Sequence, residues 1–254
     1  MDYILALVMG SIIGSFANVV IYRLPIDKKI SKGRSFCPKC KKKINWYDNI
    51  PIISFFILNA KCRKCKKPIS FRYFFVEATS AFLFFTIYFF FNTSIETVLF
   101  VILSIFLLII FFIDSEHYII PDELTFPLMV IGFLKSFDPN LNTIIFPNFV
   151  NSLIGGVFGY LLIWSIIFFY KKIRNKEGMG LGDAKLLAVM GFWFGWYCIP
   201  FIIFLSSAIG LISVLPSLIT KKRKLTSQIP FGPYIIIATF IYFFFSYNFK
   251  GFIF

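Results

Sequence analysis

The chain has 254 residues, of which 58% are hydrophobic, 37 are Phe and only 15% are charged, with a mean hydropathy of +0.81. Such a composition excludes a water-soluble domain and indicates a polytopic membrane protein. The net charge of +14 would suit nucleic acid if the basic residues formed one patch, but they are sorted among loops, so nucleic acid is not an expected partner.

At about 17 to 25 apolar residues per membrane span, eight segments emerge, roughly 3–22, 73–91, 97–113, 123–137, 149–170, 183–199, 201–219 and 232–248. The first has no basic flank and no small-residue cleavage site, so it is expected to be a retained span rather than a removed signal peptide. The stretch 51–60 is apolar but too short to cross, and is expected to lie in or under the membrane interface. The fold class is therefore all-α, with about eight transmembrane helices and a large loop after the first. Residues 1–22 form the first span, 23–72 a basic cytoplasmic loop and 73–254 a seven-helix domain.

Positive charge in short loops marks the cytoplasmic side. Fifteen Lys and Arg fall in 23–72, five in 171–185 and four at Lys221, Lys222, Arg223 and Lys224, which leaves only Lys135 and Lys250 for the opposite face. With eight spans, both termini lie outside. The basic run 28–43 is explained by orientation and by attraction to anionic lipid headgroups.

The same loop carries Cys37-Pro-Lys-Cys40 and Cys62-Arg-Lys-Cys65, separated by 21 residues. Two intervening residues turn both thiolates of a pair onto one ion, and two pairs complete the closed tetrahedron that structural zinc favours. On a reducing face the thiols remain available, and nearby Lys and Arg favour thiolates. Cys198, in the sixth segment, reads as a small apolar side chain.

Two carboxylates stand apart from the rest. Asp114 closes the apolar run Val98–Ile113, and Asp183 sits where Gly180-Leu181-Gly182 meets the start of a membrane-length helix. Charged groups at such positions are functional candidates by default, and the loop count places both at the cytoplasmic edge. Two carboxyls brought together cannot both ionise. That suits peptide hydrolysis, with one member activating water and the other hydrogen-bonding the scissile carbonyl. Gly180 and Gly182, lacking side chains, would let a substrate backbone approach. The plainer reading has each aspartate capping a helix or pairing with a base such as Lys185. Asp122 reads equally as a helix N-cap or a site residue. Glu116, His117 and Glu123 crowd the same short loop, where a divalent metal is an open alternative and where His117 reads as a solvated side chain.

These residues assemble into a pattern that resembles the type IV prepilin peptidases, a bifunctional leader peptidase/N-methyltransferase family of intramembrane aspartic peptidases with a GxGD motif. The resemblance starts at Gly14-Ser15-Phe16-Ala17-Asn18-Val19-Val20-Ile21-Tyr22-Arg23-Leu24-Pro25 and includes both cysteine pairs. It continues through Asn49-Ile50-Pro51, Ser54, Ile69-Ser70, Arg72-Tyr73, Val76-Glu77, Asp114, Ile120-Pro121-Asp122 and Leu124-Thr125. Gly180-Leu181-Gly182-Asp183-Ala184-Lys185-Leu186 and Pro230-Phe231-Gly232-Pro233-Tyr234 complete it. The resemblance implies an enzyme of the bacterial inner membrane. Such an enzyme removes the basic leader of type IV prepilins or pseudopilins at the cytoplasmic face and then methylates the new N-terminal amine with S-adenosylmethionine. Asp114 and Asp183 match the family's catalytic pair, and Cys37, Cys40, Cys62 and Cys65 its zinc loop. Two departures stand in this chain: Ala60 where the family has Gly ahead of the third cysteine, and Phe74 where it has Pro after Arg-Tyr.

Gly178-Met179-Gly180-Leu181-Gly182 follows a basic loop rather than a strand, so it is not a dinucleotide fingerprint, and no residue set for the methyl donor can be read from the sequence. Asn18 and Glu77 are placed near the cytoplasmic face. An aspartic membrane peptidase without methyl transfer, like the preflagellin peptidases, is the competing enzyme reading, and the tetracysteine loop argues against it. A non-enzymatic scaffold or transporter would call for discontinuous helices or inverted repeats, which the sequence lacks.

Overall fold

A computed structural model describes residues 2–30, 33, 35–141, 146–175, 178–219 and 229–248. Among them the regular structure is helical, with no strand beyond two isolated bridges. The helices are α1 Asp2–Arg23, α2 Ile53–Ile57, α3 Phe71–Phe91, α4 Ile95–His117, α5 Asp122–Leu134, α6 Phe149–Arg174, α7 Leu181–Phe194, α8 Cys198–Ile219 and α9 Gly232–Asn248. Every segment expected to span corresponds to one of them. The charges expected to orient the chain at Lys32, Arg34, Lys176, Lys221, Lys222, Arg223, Lys224 and Lys250 lie outside the described residues.

Among the described residues five helices are long and apolar enough to cross a membrane: Asp2–Ile26, Phe71–Phe91, Ile95–His117, Phe149–Arg174 and Cys198–Pro216. The chain is a multi-pass membrane protein. Of the other expected spans, two are shorter than the sequence pattern suggested, at 13 residues for α5 and 14 for α7, while α9 has the expected 17. At 1.5 Å per residue, α7 reaches only about 21 Å, less than a hydrocarbon core of about 30 Å. It stops at Gly195, whose φ of 81° ends the helix in a conformation that a side chain disfavours. The apolar stretch 51–60 contributes only the five-residue α2.

The chain divides into two compact units, Met1–Ile109 and Ile110–Phe254. In the first, α1 lies against α3. A Cβ on Gly10 would come within 2.7 Å of Ala81 Cα, and one on Gly14 within 2.9 Å of Glu77 Cα. The pair is a Gly-x-x-x-Gly stripe of the kind that lets membrane helices approach backbone to backbone. Ser80 reinforces it by donating its hydroxyl to the Gly10 carbonyl at 2.7 Å, and Asn18 donates to the Tyr73 carbonyl at 3.1 Å.

In the second unit α7 is the central post, touching α5, α6, α8 and α9, with ten of its fourteen residues buried. That explains its composition, since a helix enclosed on all sides is apolar all round and shows no polar face. Gly155 of α6 meets Gly191 of α7 backbone to backbone. At the far end of α5, Lys135 is buried rather than facing the outside solution as its place in the charge count suggested. Its ammonium donates to the Trp193 carbonyl at 2.9 Å and sits 3.9 Å from the centre of the Phe146 ring. It thereby satisfies a carbonyl in the last turn of α7 that has no helical partner.

Candidate active site and metal centre

In the first unit the two cysteine pairs adopt the same local structure. Lys41 N–H bonds the Cys37 carbonyl at 2.8 Å and Cys37 N–H the Lys42 carbonyl at 3.0 Å. Lys66 N–H bonds Cys62 and Cys62 N–H bonds Lys67, both at 2.9 Å. Each turn closes with a residue at positive φ, Lys41 at 58° and Lys66 at 56°, and each is flanked by a single bridge, Phe36 with Lys43 and Lys61 with Pro68. These two like turns face their thiols inward, with all four Sγ atoms within 4.8 Å of one another and Cys37 Sγ 3.9 Å from Cys65 Sγ. A tetrahedron with metal–sulfur bonds of about 2.3 Å has edges of about 3.8 Å, so the cluster could hold one metal ion after a small contraction. Backbone N–H groups of Cys65 and Lys64 pull the Cys62 thiol down to about 7, while burial and the neighbouring thiols hold Cys65 up at about 11, so the four sulfurs share protons when no metal is bound.

Ala60 carries a φ of 53°. The family's glycine at this place therefore has a physical reason, and this chain keeps the conformation with a Cβ at some cost. Phe74, the other departure, stacks on Phe55 with centroids 5.3 Å apart and planes at 28°.

The second unit brings the two aspartates together. Asp114 lies in the last turn of α4, and Asp183 in the first turn of α7, 4% and 8% exposed respectively. Ile120 links their surroundings, packing on Gly182 next to Asp183 and on Gly232 beside Asp114. Asp183 is three residues past the N-cap Gly180, whose backbone N–H turns back to its carboxyl, the position a capping-box carboxylate takes. Asp114 has the opposite situation. A carboxylate at a helix C-terminus opposes the helix dipole, and its Oδ2 is buried without a hydrogen-bond partner among the described residues. Such an orphaned acceptor calls for a donor from outside the fold, such as water or substrate.

Lys185 does not pair with Asp183. Its ammonium binds Asp122 at 2.6 and 2.8 Å, an exposed link between α7 and α5 that leaves the buried pair without a counter-ion from this lysine. Nor is Asp122 a helix cap: Pro121 is the N-cap of α5, with no side-chain cap bond, and Asp122 is the first helical residue. Glu116, His117 and Glu123 are exposed, and no three-ligand cluster involves them among the described residues. Cys198 is buried, its thiol directed at the Gly195 carbonyl at 3.0 Å.

Two contributors were not assigned to the site from the sequence. A Cβ on Gly232 would lie 2.5 Å from Asp114 Oδ2, and the Gly232 backbone N–H approaches that carboxyl. Ile120 wedges between, its Cδ1 3.1 Å from the Gly232 position and its Cβ 2.9 Å from that of Gly182. Gly182 thus makes room for Ile120. A Cβ on Gly180 would meet only Asp183 Oδ2 at 3.8 Å and Gly182 N at 3.9 Å, so Gly180 borders the open side.

Membrane-length helices, two buried carboxyls in the second unit and a four-cysteine cluster in the first define a multi-pass membrane protein with a candidate acidic site and a candidate metal site. Residues 8–91 match the bacterial peptidase A24 N-terminal domain and residues 101–215 match the type IV leader peptidase family. The chain is 37% identical over 257 residues to the prepilin leader peptidase/N-methyltransferase of Stutzerimonas stutzeri, and 34% identical over 258 residues to that of Pseudomonas aeruginosa. Each alignment covers 92% of this chain and 87% of the relative. The Neisseria gonorrhoeae protein of the same name is 34% identical over 263 residues, covering 94% and 89%. No solved structure matches the chain. The chain belongs to the type IV leader peptidase family.

Proposed function

We propose that the protein cleaves the basic leader from type IV prepilins or pseudopilins and then methylates the exposed N-terminal amine, a reading supported by relatives named prepilin leader peptidase/N-methyltransferase. Cleavage falls to Asp114 and Asp183. The observation that carries this reading is that two buried carboxyls flank the contacts of Ile120 with Gly182 and Gly232, one of them with an oxygen that has no partner among the described residues. A pair sharing one proton lets the ionised member draw a proton from water while the protonated member donates to the scissile carbonyl. As water attacks, the carbonyl oxygen takes the donated proton. Collapse of the tetrahedral adduct then breaks the C–N bond, and the amine leaves with a proton returned by the pair. Gly180 borders the space through which the peptide backbone approaches.

The four thiolates of Cys37, Cys40, Cys62 and Cys65 hold zinc in a closed structural role, and S-adenosylmethionine supplies the methyl group. The division into a first span at 1–22, a cytoplasmic loop at 23–72 and a membrane peptidase domain at 73–254 is retained as the functional plan. The enzyme sits in the cytoplasmic membrane of a bacterium, with its basic loop against anionic lipid, its active site at the cytoplasmic face and both termini outside. One observation supports the alternation of the spans on which this orientation rests. The C-terminal end of α4 meets the N-terminal ends of α5, α7 and α9 around Asp114, Ile120, Gly182 and Gly232, as strict alternation of those spans requires.

The test is to incubate membranes containing the protein with a prepilin and labelled S-adenosylmethionine, reading processed length and incorporated label separately. Both appear if the reading holds. Shortening without label supports a peptidase alone, and neither activity with inserted protein contradicts the reading.

A further inference from the structure

The first unit encloses a cavity of about 380 Å³ between the end of α1, the start of α3 and the tetracysteine loop, a size within the range of about 300 to 1,000 Å³ typical of small-molecule sites. Its lining is basic towards the loop, with side chains such as Lys42, Lys64 and Lys67, and carries acceptors at the helix ends. Asn18 is 3% exposed and commits its amide N–H to Tyr73, which leaves Oδ1 buried and unpartnered. Glu77 faces the same cavity, half-buried, with Oε2 accepting the Ile52 N–H at 2.8 Å. That amide belongs to a strained segment. Ile52 has φ 62° and ψ −54°, a region a β-branched residue scarcely visits, and Ile53 N–H closes a three-residue turn onto the Pro51 carbonyl at 2.5 Å.

Strain of this kind persists where surrounding structure holds it, and it gathers at ligand clamps. Here the turn delivers α2, whose Phe55 stacks on Phe74 to give the cavity a flat aromatic wall. The idle amide oxygen calls for a donor, the aromatic wall beside the Glu77 carboxylate accepts a planar ring and a cation, and the basic side of the cavity accepts a carboxylate. The matching ligand carries a planar heteroaromatic amine, a sulfonium or ammonium cation and a carboxylate.

We infer that this cavity is the methyl-donor site, with Asn18 Oδ1 and Glu77 as its polar contacts and Phe55 and Phe74 as its stacking wall. The assignment rests on the methyl-transfer part of the function proposed above. In the transfer, the lone pair of the deprotonated peptide amine forms the N–CH3 bond as the C–S bond breaks. The bonding electrons return to sulfur, which leaves as a neutral thioether, and the extra proton on the methylated amine passes to water. Glu77 is a positioning residue that holds the donor's positive charge.

The experiment uses the full-length protein and three variants, Glu77→Gln, Asn18→Leu and Leu58→Trp. The last fills the cavity from the loop side without disturbing the packing of α1 on α3. Equilibrium binding of labelled S-adenosylmethionine is measured beside leader cleavage, which reports folding independently. Each variant is expected to weaken donor binding about tenfold or more, as when a buried polar match or the space itself is lost, while cleavage stays within about twofold. Donor binding at wild-type strength in all three would overturn the assignment and place the donor elsewhere. A wild-type protein that cleaves but neither binds nor transfers the methyl group would instead overturn the methyl-transfer reading on which it rests.

Discussion

Replacing Gly232 with Ala places a methyl carbon 2.5 Å from Asp114 Oδ2 and 3.3 Å from its Cγ, with Ile120 Cδ1 at 3.1 Å on the other side. The first distance is about 1 Å inside ordinary van der Waals contact, and neither neighbour is a free surface side chain. Either α9 shifts outward or the carboxyl rotates away from Asp183. Overpacking of this type costs about 1 to 3 kcal/mol, too little to unfold a membrane bundle. A displacement of about 1 Å in a reacting group, by contrast, lowers rates by about 100-fold. The assay is the initial rate of prepilin cleavage in membranes with inserted enzyme matched between variant and wild type. Gly232→Ala is expected to lose about two orders of magnitude in cleavage while methylation of a leader-free peptide is unchanged. Cleavage within about twofold of wild type would refute the placement of Gly232 against the catalytic carboxyl.

Metal analysis of protein purified under reducing, chelator-free conditions is expected to find one zinc per chain, and less than about half an equivalent would remove the site. Cysteine-to-serine changes at 37, 40, 62 or 65 are expected to impair methylation more than cleavage. Ala60→Gly should stabilise the tetracysteine loop by about 1 kcal/mol by relieving a positive φ, measured as slower metal loss to a competing chelator. Unchanged or faster loss would show that Ala60 carries no strain. Reporter fusions after Lys43 and Lys222 should read cytoplasmic and those near Asn92 and at the C-terminus external. A cytoplasmic C-terminus would contradict eight alternating spans.

Apolar runs located every long helix because lipid-facing and protein-facing residues are both hydrophobic, so the signal does not depend on knowing the partner. Helix ends were less legible. The sixth segment, expected to end near 199, stops at Phe194 because the Gly195 backbone turns. The fifth continues to Arg174 because Lys171, Lys172 and Arg174 favour a helix C-terminus. Asp114 and Asp183 stood out because lone carboxylates in apolar runs are costly. What pairs them was hidden, since nothing in the spacing reports that Gly232 packs on a residue 118 positions earlier, or that Lys185 is taken by Asp122. The same holds for Asn18, whose unpartnered oxygen becomes visible only once Tyr73 is seen to occupy its amide.

The measurement that tests the central claim most directly is leader cleavage by Asp114→Asn, Asp183→Asn and the double variant, each shown to be inserted at normal level. Both single changes are expected to abolish cleavage, and the double variant should be no worse than either, because two groups that share one proton act as a unit and their losses do not add. Wild-type processing by either single variant would contradict the paired-aspartate mechanism.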